Sequence, residues 1–408
     1  MGDPDILLGL DVGTTKVAAV VGGVGASASL LGAASVPCKG LRRGTVVDIE
    51  ATTRSISAAL DQAQQATGVE VDSAWVGVTG QHMACLNARA ELPLPRANRQ
   101  ITWTDVERVM AAAVATVSIP PDRQMLHAIS RGFWVDSEPR VRNPVGLSAN
   151  RIAVDTHIVT ASRNLVENVV RCVERAGLTV AELVAEPLAT ADAVLTEEEE
   201  ELGVLLVDIG GGTTDLALFL DGSILFTGAV PVAGNYITHD IALALGVTHP
   251  QAEQLKLAYG CASAWNAPED DLLAIEEGGE PSVSRRFLHK VVRARVEEMF
   301  HLVAQAVEAA DCRWPPPGGL VLTGGGSLLP GAAAVAQAVL GCRARLGRPR
   351  VATGPVGLLE TPALATGVGL VYYGQREAEL QRARTRKQVR VLPVLGRVVA
   401  WVRDLFTA

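Results

Sequence analysis

The sequence predicts an α/β protein made of two similar halves that face one another across a cleft. Residues 208–215 have the sequence DIGGGTTD and lie between two apolar runs, 204–207 and 216–220, of strand length. Residues 11–16 have the sequence DVGTTK and also lie between two apolar runs. Each stretch predicts the tip of a β-hairpin. Because the pattern occurs once in each half of the chain, it indicates a duplicated α/β unit.

The glycines of these turns predict a phosphate site. Gly210, Gly211 and Gly212 carry no Cβ, so successive backbone N–H groups can point into one concavity and approach an anion. Asp208, at the end of a strand, is placed to hold Mg²⁺ through water, since this ion keeps much of its hydration and takes only one or two carboxylates. Lys16 could reach a β- or γ-phosphate, although a lone lysine after a turn is usually solvated. A single turn of this kind is as often a plain hairpin loop, and the repetition is what favours a nucleotide.

A third glycine turn, Gly324–Ser327, follows the apolar run 321–323 and begins a helix. Glycines at such a turn let a flat ring pack on the backbone, and a helix N-terminus adds a donor for a phosphate. Gly234-Asn235 precedes another predicted helix. Glu253 and Lys256, three residues apart on a further helix, share one face. They form either an ordinary surface ion pair or a joint grip on a ribose and a base.

Glu186 is a candidate for polarising an attacking water molecule. A helix is predicted over 163–176 and a strand over 179–185, and Pro187 suits the first turn of the helix that follows. Glu186 therefore lies at a strand-to-helix junction, where such folds bring side chains to the cleft. The alternative, an ordinary carboxylate at the start of a helix, is equally open.

Four further segments complete the predicted order of elements. A helix is predicted over 49–67, a buried strand over 74–79 and a long amphipathic helix over 284–309. The acidic, glycine-containing stretch 268–281 predicts a loop. This alternation of strands and helices is typical of α/β folds.

Composition limits the class of protein. A chain of 408 residues suits two or more domains, and its apolar content of 48% is enough for large cores. The net charge of −8 argues against a nucleic-acid partner. The six cysteines include no Cys-x-x-Cys pair, which favours a reduced cytosolic protein. The acidic start is unlike a signal peptide, and there is no apolar run of the roughly 18 residues that a membrane span needs.

Residues 82–161 include polar, proline-containing segments that differ from the regular strands and helices before them. They predict a small α/β module inserted into the first half. A helix begins near Trp103, where Thr104 can cap it and Asp105 suits its first turn. The segment 143–147 predicts a turn. Since no catalytic constellation is found in the module, an interaction surface is the expected role.

The C-terminal segment predicts a membrane anchor. Residues 376–390 are rich in arginine and predict a linker, and the apolar residues after them recur at helical spacing. The apolar face comprises Leu395, Val398, Val399, Val402, Leu405 and Phe406, with Trp401 at its margin. A short helix of this kind lies in the headgroup layer, and each nearby cation adds about 1 kcal/mol of attraction to anionic lipid. The alternative is a terminal helix packed on the body of the protein.

The three glycine turns resemble, in order and spacing, the phosphate-1, phosphate-2 and adenosine motifs of the actin-like ATPase superfamily. The stretches 186–191 and 366–369 resemble its two connecting helices. Within the superfamily, the chain resembles the FtsA family of bacterial cell-division proteins over nearly its whole length. The most specific stretches are 142–148, 154–160, 252–256 and 259–260.

The resemblance implies an actin-like ATPase fold, with two ribonuclease-H-like domains around a nucleotide cleft and an FtsA-type inserted subdomain. The implied boundaries are 4–81, 162–202 and 362–375 for subdomain 1A, 82–161 for the inserted subdomain 1C, 203–230 and 300–361 for 2A, 231–299 for 2B, 376–390 for the linker and 391–408 for the membrane helix.

The resemblance also implies ATP and Mg²⁺ in the cleft. The magnesium ion would be held through water by Asp11 and Asp208, and Glu186 would matter little because hydrolysis is typically slow in this family. The implied ATP-binding residues are Asp11, Gly13, Thr14, Thr15, Lys16, Asp208, Gly210, Gly211, Gly212, Thr213, Thr214, Gly234, Asn235, Glu253, Lys256, Gly324, Gly325, Gly326 and Ser327.

The implied role is structural. Members of the family polymerise on the cytoplasmic face of the plasma membrane at the division site, as peripheral proteins. They tether the tubulin-like division GTPase FtsZ, whose C-terminal tail docks on subdomain 2B, and the inserted subdomain would meet other division proteins. A shorter linker than usual and the acidic stretch 264–281 depart from the family pattern.

Two other classes share the fold. A pilus-assembly ATPase of the PilM type also has the inserted module but binds a partner peptide instead of lipid, and the amphipathic tail distinguishes the two. Sugar kinases and chaperone ATPases fit poorly, because the chain offers neither an obvious substrate-binding catalytic aspartate nor a second, peptide-binding domain.

Overall fold

The computed structural model describes residues 6–24, 29–96, 98–263, 271–274, 281–310, 314–351 and 353–388. The chain begins with β1 (Ile6–Val12), β2 (Lys16–Gly23), β3 (Ser29–Pro37), β4 (Leu41–Arg42), β5 (Thr45–Val46), α1 (Ile49–Thr67) and β6 (Ser73–Val78). The insert contains β7 (Ala84–Pro93), β8 (Arg99–Gln100), α2 (Trp103–Ala115), β9 (Arg123–Val135), β10 (Glu138–Val141), β11 (Ser148–Ala149) and β12 (Arg151–Ser162). The first half then resumes with α3 (Arg163–Arg175), β13 (Thr179–Ala185), α4 (Glu186–Val194) and α5 (Glu197–Leu202).

The second half repeats the pattern of strands and helices. It contains β14 (Val204–Ile209), β15 (Thr214–Leu220), β16 (Ser223–Val230), α6 (Gly234–Leu245), α7 (His249–Tyr259), β17 (Leu272–Ala274), β18 (Pro281–Ser284) and α8 (Arg285–Glu308). The remaining elements are β19 (Leu320–Thr323), a 3-10 turn (Gly325–Leu328), α9 (Ala332–Leu340), β20 (Ala344–Leu346), α10 (Val356–Leu359), a second 3-10 turn (Pro362–Leu364) and α11 (Ala365–Gln388).

The two halves contain sheets of the same topology. The strand orders are β13-β6-β1-β2-β3 and β20-β19-β14-β15-β16. In both sheets the first hairpin and its next strand are antiparallel, while the strands on the other side are parallel. The predicted duplication of an α/β unit is therefore confirmed, with β1 and β14 in equivalent places.

The connecting helices α4 and α11 pack between the sheets. One apolar cluster joins Leu188 and Ala191 of α4, Val368 of α11, and Leu206 and Ala217 of the second sheet. Every residue of β14 is buried, as expected for a central strand covered on both faces. This packing brings the ends of β1 and β14, which carry the two predicted phosphate turns, to the same cleft.

Most predicted elements are confirmed within a residue or two. The helix predicted over 49–67 has those bounds, and Asp48 caps it by accepting a hydrogen bond from the backbone N–H of Ala51 at 2.9 Å. The strand predicted over 179–185 also has its predicted bounds. The helix predicted over 284–309 extends over Arg285–Glu308.

The insert is a sheet with the order β10-β9-β12-β7, against which α2 packs. The predicted cap of α2 is wrong, because the helix begins at Trp103 and Thr102 is its N-cap. Asp105 accepts hydrogen bonds at 2.9 Å from the backbone N–H of Thr102 and at 2.6 Å from its hydroxyl. The carboxylate three residues into the helix thus selects Thr102 over Thr104.

The stretch predicted as a loop over 268–281 is partly a strand pair. Within the described residues, β17 pairs with β18 in an antiparallel ladder. The acidic composition of the stretch favoured a loop, so these short strands were not predicted.

The basic linker prediction is wrong for the part that the structure describes. Helix α11 continues without a break from Ala365 to Gln388 and so includes residues 376–388. No glycine or proline occurs between Gly374 and Pro393, and the arginine, glutamate, glutamine and alanine residues there favour helix. The predicted membrane residues 395–406 lie outside the described residues.

Within the described part of the chain, every helix is too short or too polar to cross a membrane. The cysteines in the described ranges are free thiols.

Candidate functional site

The two phosphate turns meet face to face. Gly13 donates its N–H to the carbonyl of Lys16 at 3.0 Å, and Gly210 does the same to Thr213 at 3.0 Å, so the turns have the same local form. A Cβ added at Gly212 would lie 2.5 Å from the hydroxyl oxygen of Thr14.

The neighbouring Gly211 is just as restricted, because a Cβ there would overlap the side chain of Thr15. These glycines are therefore required by the close approach of the two halves, and not only by the shape of the turn. The prediction that the duplicated turns face one another is confirmed.

Carboxyl groups gather around this meeting point. Asp11 and Asp208 stand near the ends of β1 and β14, Asp215 lies on β15, and Glu186 begins α4. All are buried, with at most 7% of each residue exposed. Of these, Asp11, Glu186 and Asp208 were predicted as site residues and Asp215 was not.

Their surroundings raise the pKa of each of these carboxyl groups. Burial, opposed by Lys16 and reinforced by Asp208, raises the pKa of Asp11 to about 6. Burial raises the pKa of Asp215 to about 8, and burial together with the other carboxylates raises that of Glu186 well above its ordinary value. The pKa of Asp208 is also raised by burial. A cation bound here would reverse these shifts, because an opposite charge favours the ionised form.

Asp208 is fixed by both connecting helices. Its Oδ2 accepts hydrogen bonds from the hydroxyls of Thr190 on α4 and Thr366 on α11, each at 3.0 Å. The two hydroxyls are also 3.0 Å from each other. Both threonines lie in stretches that were predicted as connecting helices, but their contact with Asp208 was not foreseen.

Asp215 is fixed from the opposite half. It accepts a hydrogen bond from the hydroxyl of Thr79, just after β6, and a longer one of 3.4 Å from Thr213. Asp215 could have been selected from the sequence as the last residue of the second turn motif. Thr79 carries no motif, and only the approach of the two halves reveals its role.

Lys16 enters the cleft instead of pointing into solvent. Its Nζ donates to the backbone carbonyl of Ala363 and lies 3.9 Å from Oδ2 of Asp11. The side chain is 27% exposed, so it remains reachable for an anion.

Glu186 is not an ordinary helix-start carboxylate on the surface. Its Oε1 is buried and has no hydrogen-bond partner among the described residues. A Cβ added at Gly77 of β6 would lie 2.9 Å from this side chain, so the missing side chain of Gly77 makes room for it. This arrangement favours the interpretation in which Glu186 polarises water, which stays a prediction.

The third glycine turn packs on the end of β14. Gly324 has φ of 79°, and a Cβ there would overlap both Asp208 Oδ1 and the carbonyl of Ile209. Ser327 donates its hydroxyl to the Gly324 carbonyl at 2.7 Å. Gly325 faces more open space, with Ala363 Cβ 3.9 Å from its ideal Cβ position. The backbone at Gly325 is therefore not covered at this position, and the packing of a flat ring there stays a prediction.

Helix α6 begins on the second phosphate turn. The N–H groups of Gly234 and Asn235 donate to the carbonyls of Gly210 at 3.1 Å and Gly211 at 2.8 Å. The prediction that this pair precedes the helix is wrong by two residues, because α6 starts at Gly234 itself.

Glu253 and Lys256 do pair, at 2.8 Å, and the pair rests on α6. Lys256 Nζ also donates to the carbonyl of Gly234 at 3.2 Å and to the hydroxyl of Thr238 at 2.9 Å. Only 12% of the lysine side chain is exposed, so this is not an ordinary surface ion pair. The pair links α7 to the helix that begins on the phosphate turn.

Arg43 forms a further contact between the halves. It lies in the turn between β4 and β5, and its guanidinium carbon is 5.3 Å from the centre of the Tyr236 ring on α6. The next residue, Gly44, donates its N–H to the hydroxyl of Thr14 at 3.1 Å. This cation–π contact therefore lies beside the phosphate turns.

The carboxylates suit a hydrated magnesium ion better than a directly bound metal. Among the described residues, no group of three or more histidine, cysteine, aspartate or glutamate side chains is arranged to coordinate a metal. Mg²⁺ needs fewer protein ligands, since it keeps several waters and binds through one or two carboxylates and substrate phosphates. Asp11 and Asp208 fit that requirement.

Comparison with known proteins agrees with this architecture. A family model described as "Cell division protein FtsA" matches residues 205–369, and one described as "SHS2 domain inserted in FTSA" matches residues 80–160. The cell division protein FtsA of Pseudomonas aeruginosa is 39% identical over 412 residues, covering 98% of this chain and 98% of that protein.

Solved structures support the fold. A PilM–PilN type IV pilus biogenesis complex has a TM-score of 0.66 at 20% identity and covers 90% of this chain and 98% of its own. MreB5 of Spiroplasma citri bound to ADP has a TM-score of 0.52 at 15% identity and covers 92% and 99%. These likenesses establish the actin-like fold that was predicted. The 39% identity to the Pseudomonas protein extends over nearly the full length of both chains. This chain therefore belongs to the FtsA family of cell division proteins.

Proposed function

We propose that this cell division protein binds ATP with Mg²⁺ between its two halves. The observation that carries the proposal is the group of buried carboxyls Asp11, Glu186, Asp208 and Asp215, which surrounds two facing glycine turns. Lys16 is the cation that acts on these buried carboxyls, and Mg²⁺ would supply the further positive charge that they and the phosphates need. That MreB5 of Spiroplasma citri binds ADP in a similar fold agrees with this proposal.

Each residue of the site would contact the part of MgATP that lies nearest to it. Asp11 and Asp208 would hold the magnesium ion through water, and Lys16 and the backbone N–H groups of Gly210–Gly212 would contact phosphate oxygens. The open backbone face at Gly325 would pack against the base, and the Glu253–Lys256 pair would border the ribose. Glu186, with its free Oε1, would orient water for slow hydrolysis.

The protein is proposed to polymerise and to tether the division GTPase FtsZ through subdomain 2B, residues 231–299. Large apolar side chains are exposed on this subdomain, namely Leu243, Leu257, Tyr259, Leu272 and Phe287. Arg285 lies 5.4 Å from the centre of the Tyr259 ring and pairs with Asp271 at 3.1 Å. Exposed apolar groups beside arginine suit a peptide that carries both apolar and acidic residues.

The insert is proposed as the surface for other division proteins. Trp103 and Leu147 are large apolar residues that are exposed on it. They lie near one another, because Ile101 donates its N–H to the Leu147 carbonyl at 2.8 Å and Trp103 follows two residues later.

The C-terminal residues 391–408 are proposed to lie as an amphipathic helix on the cytoplasmic face of the plasma membrane at the division site. Two features support this proposal: the apolar spacing of the sequence and the arginine-rich end of α11 before it. The PilM alternative rests on a fold likeness at 20% identity, which carries no argument about partners.

Co-sedimentation with liposomes tests the membrane proposal. The full chain is incubated with ATP, Mg²⁺ and vesicles of an anionic lipid, and compared with a chain that ends at Arg390. We expect the full chain to pellet and the shortened chain to remain in solution. If both remain in solution, the tail is not an anchor and the membrane proposal fails.

A matched pair of variants distinguishes insertion of the apolar face into the membrane from repulsion of an added negative charge by anionic lipid. Val402→Glu places a carboxylate on the apolar face, whereas Ala400→Glu places the same charge about 160° away on a helix. We expect only Val402→Glu to abolish pelleting. Equal loss in both variants would indicate simple repulsion by anionic lipid.

A further inference from the structure

His127 connects the insert to the cleft. It lies on β9 of the insert, is 6% exposed, and its Nε2 accepts a hydrogen bond of 2.9 Å from the backbone N–H of Ala185. Ala185 is fully buried and directly precedes Glu186. Among the described strands, β13 is at the edge of its sheet, so the outward N–H of Ala185 has no neighbouring strand of that sheet to bond. The insert thus supplies the acceptor that a buried N–H requires.

The chemistry of the ring fixes its orientation. Because Nε2 accepts a hydrogen bond, it carries no proton, and burial keeps the ring neutral by lowering the pKa of His127 to about 4. The single ring proton is therefore on Nδ1, which points to the hydroxyl of Tyr373 at 3.3 Å. Tyr373 belongs to α11, so one imidazole joins the insert, the strand before Glu186 and the C-terminal helix.

The same network holds the other end of α4. Arg376, one turn after Tyr373, lies over the tyrosine ring with its guanidinium carbon 4.8 Å from the ring centre. It also pairs with Asp192 of α4 at 2.6 Å. Helix α4 is therefore tied to α11 near its C-terminal end, and the backbone before its first residue is tied to the insert.

We propose that His127 is a positioning residue through which the insert and helix α11 set the place of Glu186 in the cleft. The proposal rests on the proposed nucleotide function of Glu186. It follows that docking of the insert and placement of Glu186 are linked, so a partner that moves the insert changes nucleotide turnover.

The test compares three substitutions in the full chain. His127→Ala removes the acceptor, whereas His127→Gln puts a side-chain oxygen near the former position of Nε2. The control is His157→Ala, since His157 is the other deeply buried histidine of the insert sheet and bonds to Asn87 and Thr227 instead of the cleft. The readouts are hydrogen exchange of the Ala185 amide, measured without nucleotide, and kcat and KM for ATP.

We expect His127→Ala to speed exchange of the Ala185 amide at least fivefold and to lower kcat at least fivefold, with KM within twofold. His127→Gln should restore both quantities, and His157→Ala should change neither. Unchanged exchange in His127→Ala overturns the proposal, and so does equal loss in both alanine variants, which indicates general destabilisation.

Two other results can be distinguished from a failure of the His127 proposal. If the wild-type chain neither binds nor hydrolyses ATP, the proposed function fails, while the exchange measurement still decides whether His127 holds Ala185. If His127→Ala does not fold, Tyr373→Phe replaces it, because it removes only the partner of Nδ1. It should then speed exchange of the Ala185 amide by a smaller factor, and no change would overturn the proposal.

Discussion

Replacing Asp11 by asparagine should stabilise the nucleotide-free protein while abolishing its response to MgATP. The carboxyl of Asp11 is buried at the end of β1, and its pKa is raised from the ordinary value of 3.8 to about 6. A raised pKa means that the folded protein binds the proton more tightly than the unfolded chain does. Ionised Asp11 therefore opposes folding, and stability is lost as the pH rises through this range.

The expected size follows from the two pKa values. The difference between 3.8 and about 6 corresponds to a cost of about 3 kcal/mol once the pH exceeds 7. At pH 5 the folded carboxyl is still mostly protonated, and the cost falls to roughly half. Asparagine has the same shape without the charge, so Asp11→Asn should recover most of this free energy at pH 8 and less at pH 5.

Urea unfolding at pH 5 and pH 8 measures the effect. The control is Asp61→Asn on the exposed face of α1, which should change the free energy of unfolding by less than about 0.5 kcal/mol. Excess MgATP at 100 times its Kd should stabilise the wild-type chain by about 2.7 kcal/mol and leave Asp11→Asn unaffected. Destabilisation of Asp11→Asn at pH 8, or a gain that is equal at both pH values, would refute the reasoning.

Two further predictions concern contacts between elements. A Cβ at Gly369 of α11 would overlap the carbonyl of Ala189 on α4. Gly369→Ala should therefore lower the free energy of unfolding, measured in urea, by about 1–3 kcal/mol. The control is Gly357→Ala, which should be nearly neutral because there is open space around its Cβ position. Arg43→Ala removes the cation–π contact across the cleft and should speed release of a fluorescent ATP analogue about two- to fivefold, as expected for a contact of about 0.5–1 kcal/mol. The adjacent exposed Arg42→Ala serves as its control, and equal release rates in the two variants would show that the contact does not hold the cleft.

The sequence by itself determined the repeated hairpins and most of the helices. Apolar runs around DVGTTK and DIGGGTTD are local patterns, and strand and turn preferences are also local, so both hairpins could be predicted. Helix α1 was predicted with the bounds that the structure has, because its cap and its apolar spacing lie within the segment itself. The cap of α2 was missed, since Thr102 and Thr104 are both acceptable until Asp105 is seen to bond Thr102.

The composition of residues 376–388 was not enough to predict that they continue helix α11. A run of arginines is compatible with either a solvated linker or a helix, and the sequence pattern does not distinguish them. In the structure the helix is anchored at its start by packing against α4 and by the pair of Arg376 with Asp192, and the residues after it continue the helix. Cooperative helix growth from a packed segment explains the difference.

The tertiary structure alone decided which polar residues share the site. Thr79 and Asp215 are far apart in the sequence yet share a hydrogen bond, and Thr366 reaches Asp208 from the far end of the chain. The role of His127 at Ala185 depends in the same way on how the insert docks. Sequence patterns report the preferences of neighbouring residues, whereas the site forms where two sheets and two connecting helices pack together, and that packing is set by the whole buried core.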